Sequence, residues 1–254
     1  MADSFPSLGS YAQSLQNLNE AVIPSAEGPD EPIRNGRYHH KIENVDVLFD
    51  KLEDALIAEI ERWPVVVGCM AWMTNGGILR ALATRGAVSM IVNKEDFLRP
   101  DKGNWSERRI KEMYAAIPGI NRYVVGRAYS FACDPVTAAV RCIGIRDERK
   151  NVPPRMHHKF MVFCDAEAKE TIRVDQPGAE AFEFDDGGKA TPRAVWTGSF
   201  NATFNGTQSL ENAVILRGFD YAYPFFCEWA ALLGISEPLN WESPYVAPEY
   251  RIGT

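Results

Sequence analysis

Residues 156–163 have the sequence MHHKFMVF, in which His157 and Lys159 precede a short apolar run. A continuous apolar stretch of this length predicts a buried β-strand. Because side chains two positions apart in a strand point to the same face, the pattern places His157 and Lys159 together and turns His158 away. The segment therefore predicts two reactive side chains on one face of a core strand.

A second motif, GSFN, begins at Gly198, and a carboxylate follows at Glu211. Strand parity also joins Ser199 and Asn201 on one face. An imidazole, an ammonium, a carboxamide and a carboxylate form a complete set for attack on a phosphodiester. The imidazole attacks phosphorus, the ammonium and amide hold the charged oxygens, and the carboxylate fixes the imidazole tautomer. The set consists of His157, Lys159, Asn201 and Glu211.

The rest of the chain alternates between helical and extended patterns. Helices are predicted at 45–62, 76–84 and 107–116, and a last one from Pro224 to Leu233 that Gly234 caps. Strands are predicted at 65–67, 88–92, 138–145, 157–164, 194–197 and 211–216. Such alternation favours an α/β sheet with covering helices over a helix bundle or a β-sandwich.

The predicted domain spans residues 37–238. Residues 1–36 are polar, contain five acidic and no basic side chains up to position 33, and are predicted to form a loosely ordered arm. Residues 165–193 are a polar, glycine-containing insertion for which we expect a hairpin, and residues 239–254 form a proline-rich tail.

The charge balance is acidic overall but basic locally. With 27 basic and 34 acidic residues, the net charge of −7 argues against a protein that coats nucleic acid with its whole surface. Residues 99–127, however, contain seven basic and three acidic side chains, and residues 141–159 contain six and two. These two runs are compatible with a polyanionic substrate.

Targeting and metal-binding features are not indicated. No Lys or Arg precedes Arg34, and apolar runs such as 64–73 are too short to cross a bilayer, which predicts a cytoplasmic protein without membrane attachment. The five cysteines are scattered, with no C-x-x-C pair, so neither a disulfide framework nor a zinc site is predicted.

These motifs, HHK at 157–159, GSFN at 198–201 and the later Glu211, resemble the phospholipase D superfamily, whose pattern is H-x-K-x4-D, then G-S-x-N and a downstream Glu. The resemblance covers most of residues 45–238 in order of elements and is closest to short bacterial endonucleases with one motif per chain. It implies a mixed sheet flanked by helices on both faces, and a metal-independent phosphodiesterase without a cofactor.

The resemblance also implies a role for each site residue. His157 would form a phosphohistidine, Lys159 and Asn201 would bind the phosphoryl oxygens, and Glu211 would orient His157. Substrate binding would involve Gly198, Ser199 and Arg155. A second His would come from a homodimer mate, which gives a shared active site on a nucleic-acid substrate.

Two positions complicate the pattern. Cys164 stands where the motif has Asp, and Asp165 follows it, so a local shift or a weakened site is an open alternative. Residues 39–46, HHKIENVD, match H-x-K-x4-D letter for letter, but their spacer is not an apolar strand and no G-S-x-N follows nearby. We interpret this second match as coincidental.

Two other functions are compatible with the same residues. One is hydrolysis or transfer of phospholipid head groups, which the chemistry permits although no basic amphipathic helix is predicted. The other is a catalytically silent nucleic-acid-binding or toxin-neutralising module, for which Cys164 is the supporting feature.

Overall fold

A computed structural model describes residues 17–23, 31–32, 39–99, 104–119, 123–124, 138–146, 153–166, 170–174, 182–186 and 188–248, and all structural statements concern these ranges. The strands are β1 (Val22–Ile23), β2 (Glu31–Pro32), β3 (His40–Ile42), β4 (Val45–Leu48), β5 (Val65–Met70), β6 (Ala87–Asn93), β7 (Tyr123–Val124), β8 (Val140–Ile143), β9 (Lys159–Ala166), β10 (Glu170–Val174), β11 (Phe182–Asp186), β12 (Gly188–Gly198) and β13 (Ala213–Arg217). The α-helices are α1 (Leu52–Arg62), α2 (Gly76–Ala83), α3 (Trp105–Ala115), α4 (Phe204–Gln208) and α5 (Phe219–Ile235).

One mixed sheet organises the domain. Its strand order is β3-β4-β13-β12-β9-β5-β6-β8, and β7 pairs with the beginning of β12. Strands β5, β6 and β8 are parallel to one another. All other neighbouring strands, from β5 and β9 across to β4 and β3, pair antiparallel. The prediction of an α/β fold with a mixed sheet is confirmed.

Helices cover both faces of this sheet, as predicted. Along β5, Val66 and Met70 belong to an apolar cluster with α1 and α2, whereas Val65 and Val67 belong to a second cluster with α5. Alternate side chains of a strand point to opposite faces, so the two clusters are two separate layers of core. Strands buried on both faces are expected to be continuously apolar, which explains why β5 and β6 were predicted correctly.

The predicted helix at 45–62 is wrong over its first residues. Val45–Leu48 form β4, which lies between β3 and β13, and α1 begins only at Leu52. Val45, Val47 and Leu48 fit either a helical or an extended period, and pairing with two strands decides for the extended form. Lys51, with a φ of 48°, separates the strand from the helix.

The last helix is longer than predicted. It begins at Phe219, so Pro224 lies inside it, and it continues through Gly234 to Ile235. Gly218 adopts a φ of +128° and its N–H donates to the carbonyl of Arg193 at 2.7 Å, which turns the chain sharply into the helix. Burial of the face containing Trp229 offsets the hydrogen bond that Pro224 removes.

The strand boundaries differ most near the motifs. Strand β9 begins at Lys159 rather than His157, and β13 begins at Ala213 rather than Glu211. Strand β12 extends back to Gly188, well into the predicted insertion, where β10 and β11 pair antiparallel as a separate two-stranded sheet. His157 and Glu211 therefore lie on loops at the ends of core strands.

Parts of the predicted arm and tail pack on the domain. The Asn19 side chain donates to the carbonyls of Thr207 and Ser209, at 3.0 and 3.2 Å. In the tail, Trp241 is buried, and the carbonyl of Ser243 accepts a hydrogen bond from the buried Lys94 at 3.0 Å. Much of the predicted arm, including residues 1–16, lies outside the described ranges.

Candidate active site

His157 and Lys159 meet at the beginning of the central strand β9, with His157 on the loop that leads into it and Lys159 as its first residue. The Lys159 Nζ atom lies 3.2 Å from Nε2 of His157 and donates to the His157 carbonyl at 3.2 Å. The loop is attached to β5, because the Ala71 N–H donates to the carbonyl of His158 at 2.9 Å. Backbone pairing thus positions the imidazole and the ammonium as neighbours.

Trp72 forms one side of this pair. Its ring meets the His157 imidazole edge-on with the centroids 5.3 Å apart, and Lys159 Nζ lies 5.9 Å from the indole centroid. The indole N–H donates to Glu95 at 3.2 Å, which fixes the ring. Trp72 was not among the site residues predicted from the sequence. Its place in the site depends on the pairing of β5 with β9, for which the local sequence holds no signal.

The second motif brings Ser199 to Glu211. The Ser199 hydroxyl donates to the Glu211 carboxylate and accepts the Asn212 N–H at 3.0 Å. Gly198 permits this contact, because a Cβ at that position would collide with the backbone of Asn212 and Ala213. Gly198 therefore acts through its backbone, by allowing this close approach. The Glu211 carboxylate contacts Ser199, whereas the His157 imidazole contacts Lys159 and Trp72.

Asn201 completes the group. Its side-chain Oδ1 is buried without a hydrogen-bond partner among the described residues, and the side chain lines a cleft together with Trp72. A buried acceptor without a partner costs free energy, so this oxygen is available to a donor from a ligand, whereas the Nδ2 group of the same amide is the donor that phosphoryl oxygens require. Five of the predicted site residues thus lie at the same end of the central strands: His157, Lys159, Ser199, Asn201 and Glu211.

His158 points away from the reactive pair. Its Nε2 lies 3.3 Å from the Glu228 carboxylate on α5, and its ring packs against Phe160 with the centroids 5.8 Å apart. His158 is thus engaged with the helix side of the sheet rather than with the cleft.

The local field favours a neutral imidazole. Partial desolvation lowers the pKa of His157 below its ordinary value, and the nearby cationic groups of Lys159, Arg155 and His158 lower that pKa further. Desolvation also lowers the pKa of Lys159, which the Glu211 carboxylate partly opposes. A neutral imidazole is the form that can act as a nucleophile.

We expect the pKa of His157, measured by NMR titration of its imidazole C–H signals, to lie below that of an exposed histidine. In Lys159→Met, the His157 pKa should rise, because the variant removes a cation that disfavours the imidazolium. The exposed His40 serves as the internal reference. A His157 pKa that is unchanged by Lys159→Met would contradict the observed proximity of the two groups.

Cys164 and Asp165 occupy opposite faces of β9. Cys164 is fully buried, and burial raises the pKa of its thiol. Asp165 is exposed and accepts a hydrogen bond from Arg193 on β12 at 2.6 Å. The position that holds Asp in the motif is thus apolar here, and the next residue supplies a carboxylate that joins β9 to β12.

We expect Cys164→Asp to lower the free energy of unfolding by about 3 kcal/mol or more, because a carboxyl group would enter an apolar layer without a partner. Urea unfolding at neutral pH measures this loss. Asp165→Asn, which breaks an exposed ion pair, should cost less than about 1 kcal/mol. A stable Cys164→Asp protein would show that the layer tolerates the motif residue.

The second formal motif lies elsewhere on the sheet. Strand β3 is separated from β9 by β4, β13 and β12, which corresponds to about 19 Å at the usual strand spacing. The His39 ring contacts the Asp50 carbonyl at 2.7 Å, and Asp46 pairs with Arg217 at 2.9 Å. Residues of this second match therefore have partners of their own near the outer strand β3.

Only part of the basic run at 141–159 faces the site. Arg141 is buried and donates to Ser236, and Arg146 pairs with Asp96 at 2.6 Å. Arg155 is exposed two residues before His157. Among the described basic residues of this run, Arg155 and Lys159 therefore supply the positive charge near His157, while Arg149 and Lys150 lie outside the described ranges.

Within the described ranges, no three His, Cys, Asp or Glu side chains are grouped closely enough to hold a metal ion. No helix of the described part is both long and apolar enough to span a membrane.

Comparison with known proteins gives distant relatives. No protein-family model matches the sequence. The uncharacterized protein L381 of Acanthamoeba polyphaga mimivirus is 27% identical over 232 residues, which cover 83% of this chain and 73% of that protein. NucT from Helicobacter pylori has a TM-score of 0.48 and 14% identity, over 76% of this chain and 98% of its own. Nuc from Salmonella typhimurium, a phospholipase D family member, has a TM-score of 0.44 and 15% identity, over 76% of this chain and 95% of its own.

Proposed function

We propose that this chain is a phospholipase D-type phosphodiesterase that hydrolyses nucleic acid without a metal ion, with His157 as its nucleophile. The observation that carries this proposal is the contact of Lys159 Nζ with the His157 imidazole at 3.2 Å. The amide of Asn201 and the Ser199–Glu211 pair lie at the same end of the sheet's central strands. The exposed Arg155 and the partly exposed Lys159 supply the positive charge that binding of a phosphodiester requires.

The reaction proceeds in two displacements. A ring nitrogen of neutral His157 attacks phosphorus, the bond from phosphorus to the leaving oxygen breaks, and a second imidazolium gives that oxygen its proton. A water molecule then attacks the phosphohistidine, the phosphorus–nitrogen bond breaks, and the second imidazole takes the proton of the water. Lys159 and the Asn201 amide stabilise the charge on the non-bridging oxygens in both steps.

The second imidazole comes from another copy of the chain. The sequence has four histidines. His39 and His40 lie at or beside the distant strand β3, and His158 is engaged with Glu228. A homodimer that brings His157 of each protomer into one cleft supplies the missing acid. A cytoplasmic location and the absence of membrane attachment stay predictions from the sequence.

Cleavage in the presence of EDTA tests this function. We expect purified protein to cut single-stranded DNA, double-stranded DNA or RNA at an unchanged rate after metal removal, and to elute as a dimer in light-scattering chromatography. Phosphatidylcholine vesicles are the comparison substrate. Activity that depends on a divalent cation, or that is confined to the vesicles, would contradict the proposal.

A further inference from the structure

A cleft opens directly beside the proposed phosphate site. It shares Asn201 with the candidate catalytic group, and Trp72, which touches His157, forms one of its sides. Its lining consists of Trp72, Thr74, Asn201, Thr203, Phe204 and Asn205.

Two loops fixed to each other build this cleft. The Ala202 carbonyl accepts the N–H groups of Thr74 and Asn75, at 2.7 and 2.8 Å. The Tyr114 hydroxyl, which is buried under the first loop, donates to the Met73 carbonyl at 2.5 Å. The loop after β5 and the loop after β12 are therefore one connected unit. Trp72 belongs to the first loop, and Phe204 is the first residue of α4, directly after the second loop.

The lining combines exposed aromatic surface with polar groups. Phe204 is 66% exposed, so it presents much of its ring to solvent. Trp72 is partly exposed, and Thr74, Thr203 and Asn205 provide hydroxyl and amide groups around the two rings. Aromatic faces with hydrogen-bonding groups at their edges are the surface on which unpaired nucleobases stack.

We propose that this cleft holds the base of a nucleotide next to the scissile phosphate, with Trp72 and Phe204 as its stacking surfaces. This inference rests on the proposed function. Asn201 belongs to both places, so a phosphate bound at His157 and Lys159 directs the adjoining nucleoside into the cleft. A base in a duplex is already stacked between its neighbours, so the cleft takes an unpaired nucleotide.

Comparison of two oligomers tests the cleft. One is an oligothymidylate, and the other has the same length but carries tetrahydrofuran residues in place of its nucleosides, so it has phosphates and no bases. We expect wild-type protein to cut the base-bearing oligomer with a kcat/KM about tenfold higher. Phe204→Ala should lower that ratio, because it removes one of the two stacking surfaces, whereas Phe204→Tyr should keep it. Phe219→Ala, which removes an aromatic ring 45% exposed on α5, is the matched control and should leave the ratio unchanged.

The outcomes separate the cleft from the nuclease. Equal cutting of the two oligomers by wild-type protein would overturn the base-binding cleft and leave the nuclease proposal standing. A ratio that survives in Phe204→Ala, or that falls equally in Phe219→Ala, would overturn it in the same way. A failure of wild-type protein to cut either oligomer would instead contradict the proposed function.

Discussion

We expect His157→Ala to lower kcat for DNA or RNA cleavage by at least about 10⁴-fold, because the variant removes the atom that forms the covalent intermediate in the proposed mechanism. Gel-based cleavage of end-labelled substrate in EDTA measures the loss. An activity within tenfold of wild type would rule out His157 as the nucleophile.

His39→Ala is the matched control for this experiment. His39 is an exposed histidine in a similar HHK sequence, but it lies at the β3 edge and contacts the Asp50 carbonyl. We expect the variant to keep wild-type activity. If it loses activity as His157→Ala does, the acid for the leaving group comes from the same chain, and the shared site of a homodimer is not needed.

We expect Lys159→Met to lower kcat by about 10²- to 10³-fold with a smaller effect on KM, because in the proposed mechanism the ammonium stabilises charge that builds up in the transition state. Methionine keeps an unbranched chain of similar length and removes only the charge. Steady-state kinetics on a short oligonucleotide separates kcat from KM. A rise in KM with kcat unchanged would mean that Lys159 only binds the ground state.

Lys159→Arg is the control for charge alone. It keeps the positive charge, but the planar guanidinium does not fit the space of a compact ammonium at 3.2 Å from the imidazole. We expect partial recovery relative to Lys159→Met. Urea unfolding of all three proteins should give similar free energies, since Lys159 lies at the beginning of β9 and is partly exposed. A large stability loss in Lys159→Met would instead assign the effect to folding.

The central strands could be predicted from the sequence because their burial on both faces produces continuous apolar runs. Strand β4 could not, because Val45, Val47 and Leu48 fit two periods and the choice depends on pairing with β13, more than 160 positions later. The beginning of α5 was missed for a related reason. The helix tolerates Pro224 because the face of the helix that contains Trp229 is buried.

The motif residues could be identified from their types and spacing, but their contacts could not. The sequence places His157 and Lys159 in one strand, whereas in the structure they are brought together by the loop before it. The partner of Glu211 in the structure is Ser199. Trp72 enters the site only because β5 pairs with β9, and sheet order is not encoded in local periodicity.

Trapping the covalent intermediate tests the mechanism most directly. Protein mixed with oligonucleotide in EDTA and denatured within the first turnover should carry a nucleotide phosphate on His157, identified by peptide mass spectrometry under alkaline conditions that preserve phosphohistidine. We expect this adduct in wild-type protein and none in His157→Ala. Efficient cleavage with no adduct on His157, or with the phosphate on another residue, would contradict nucleophilic attack by His157.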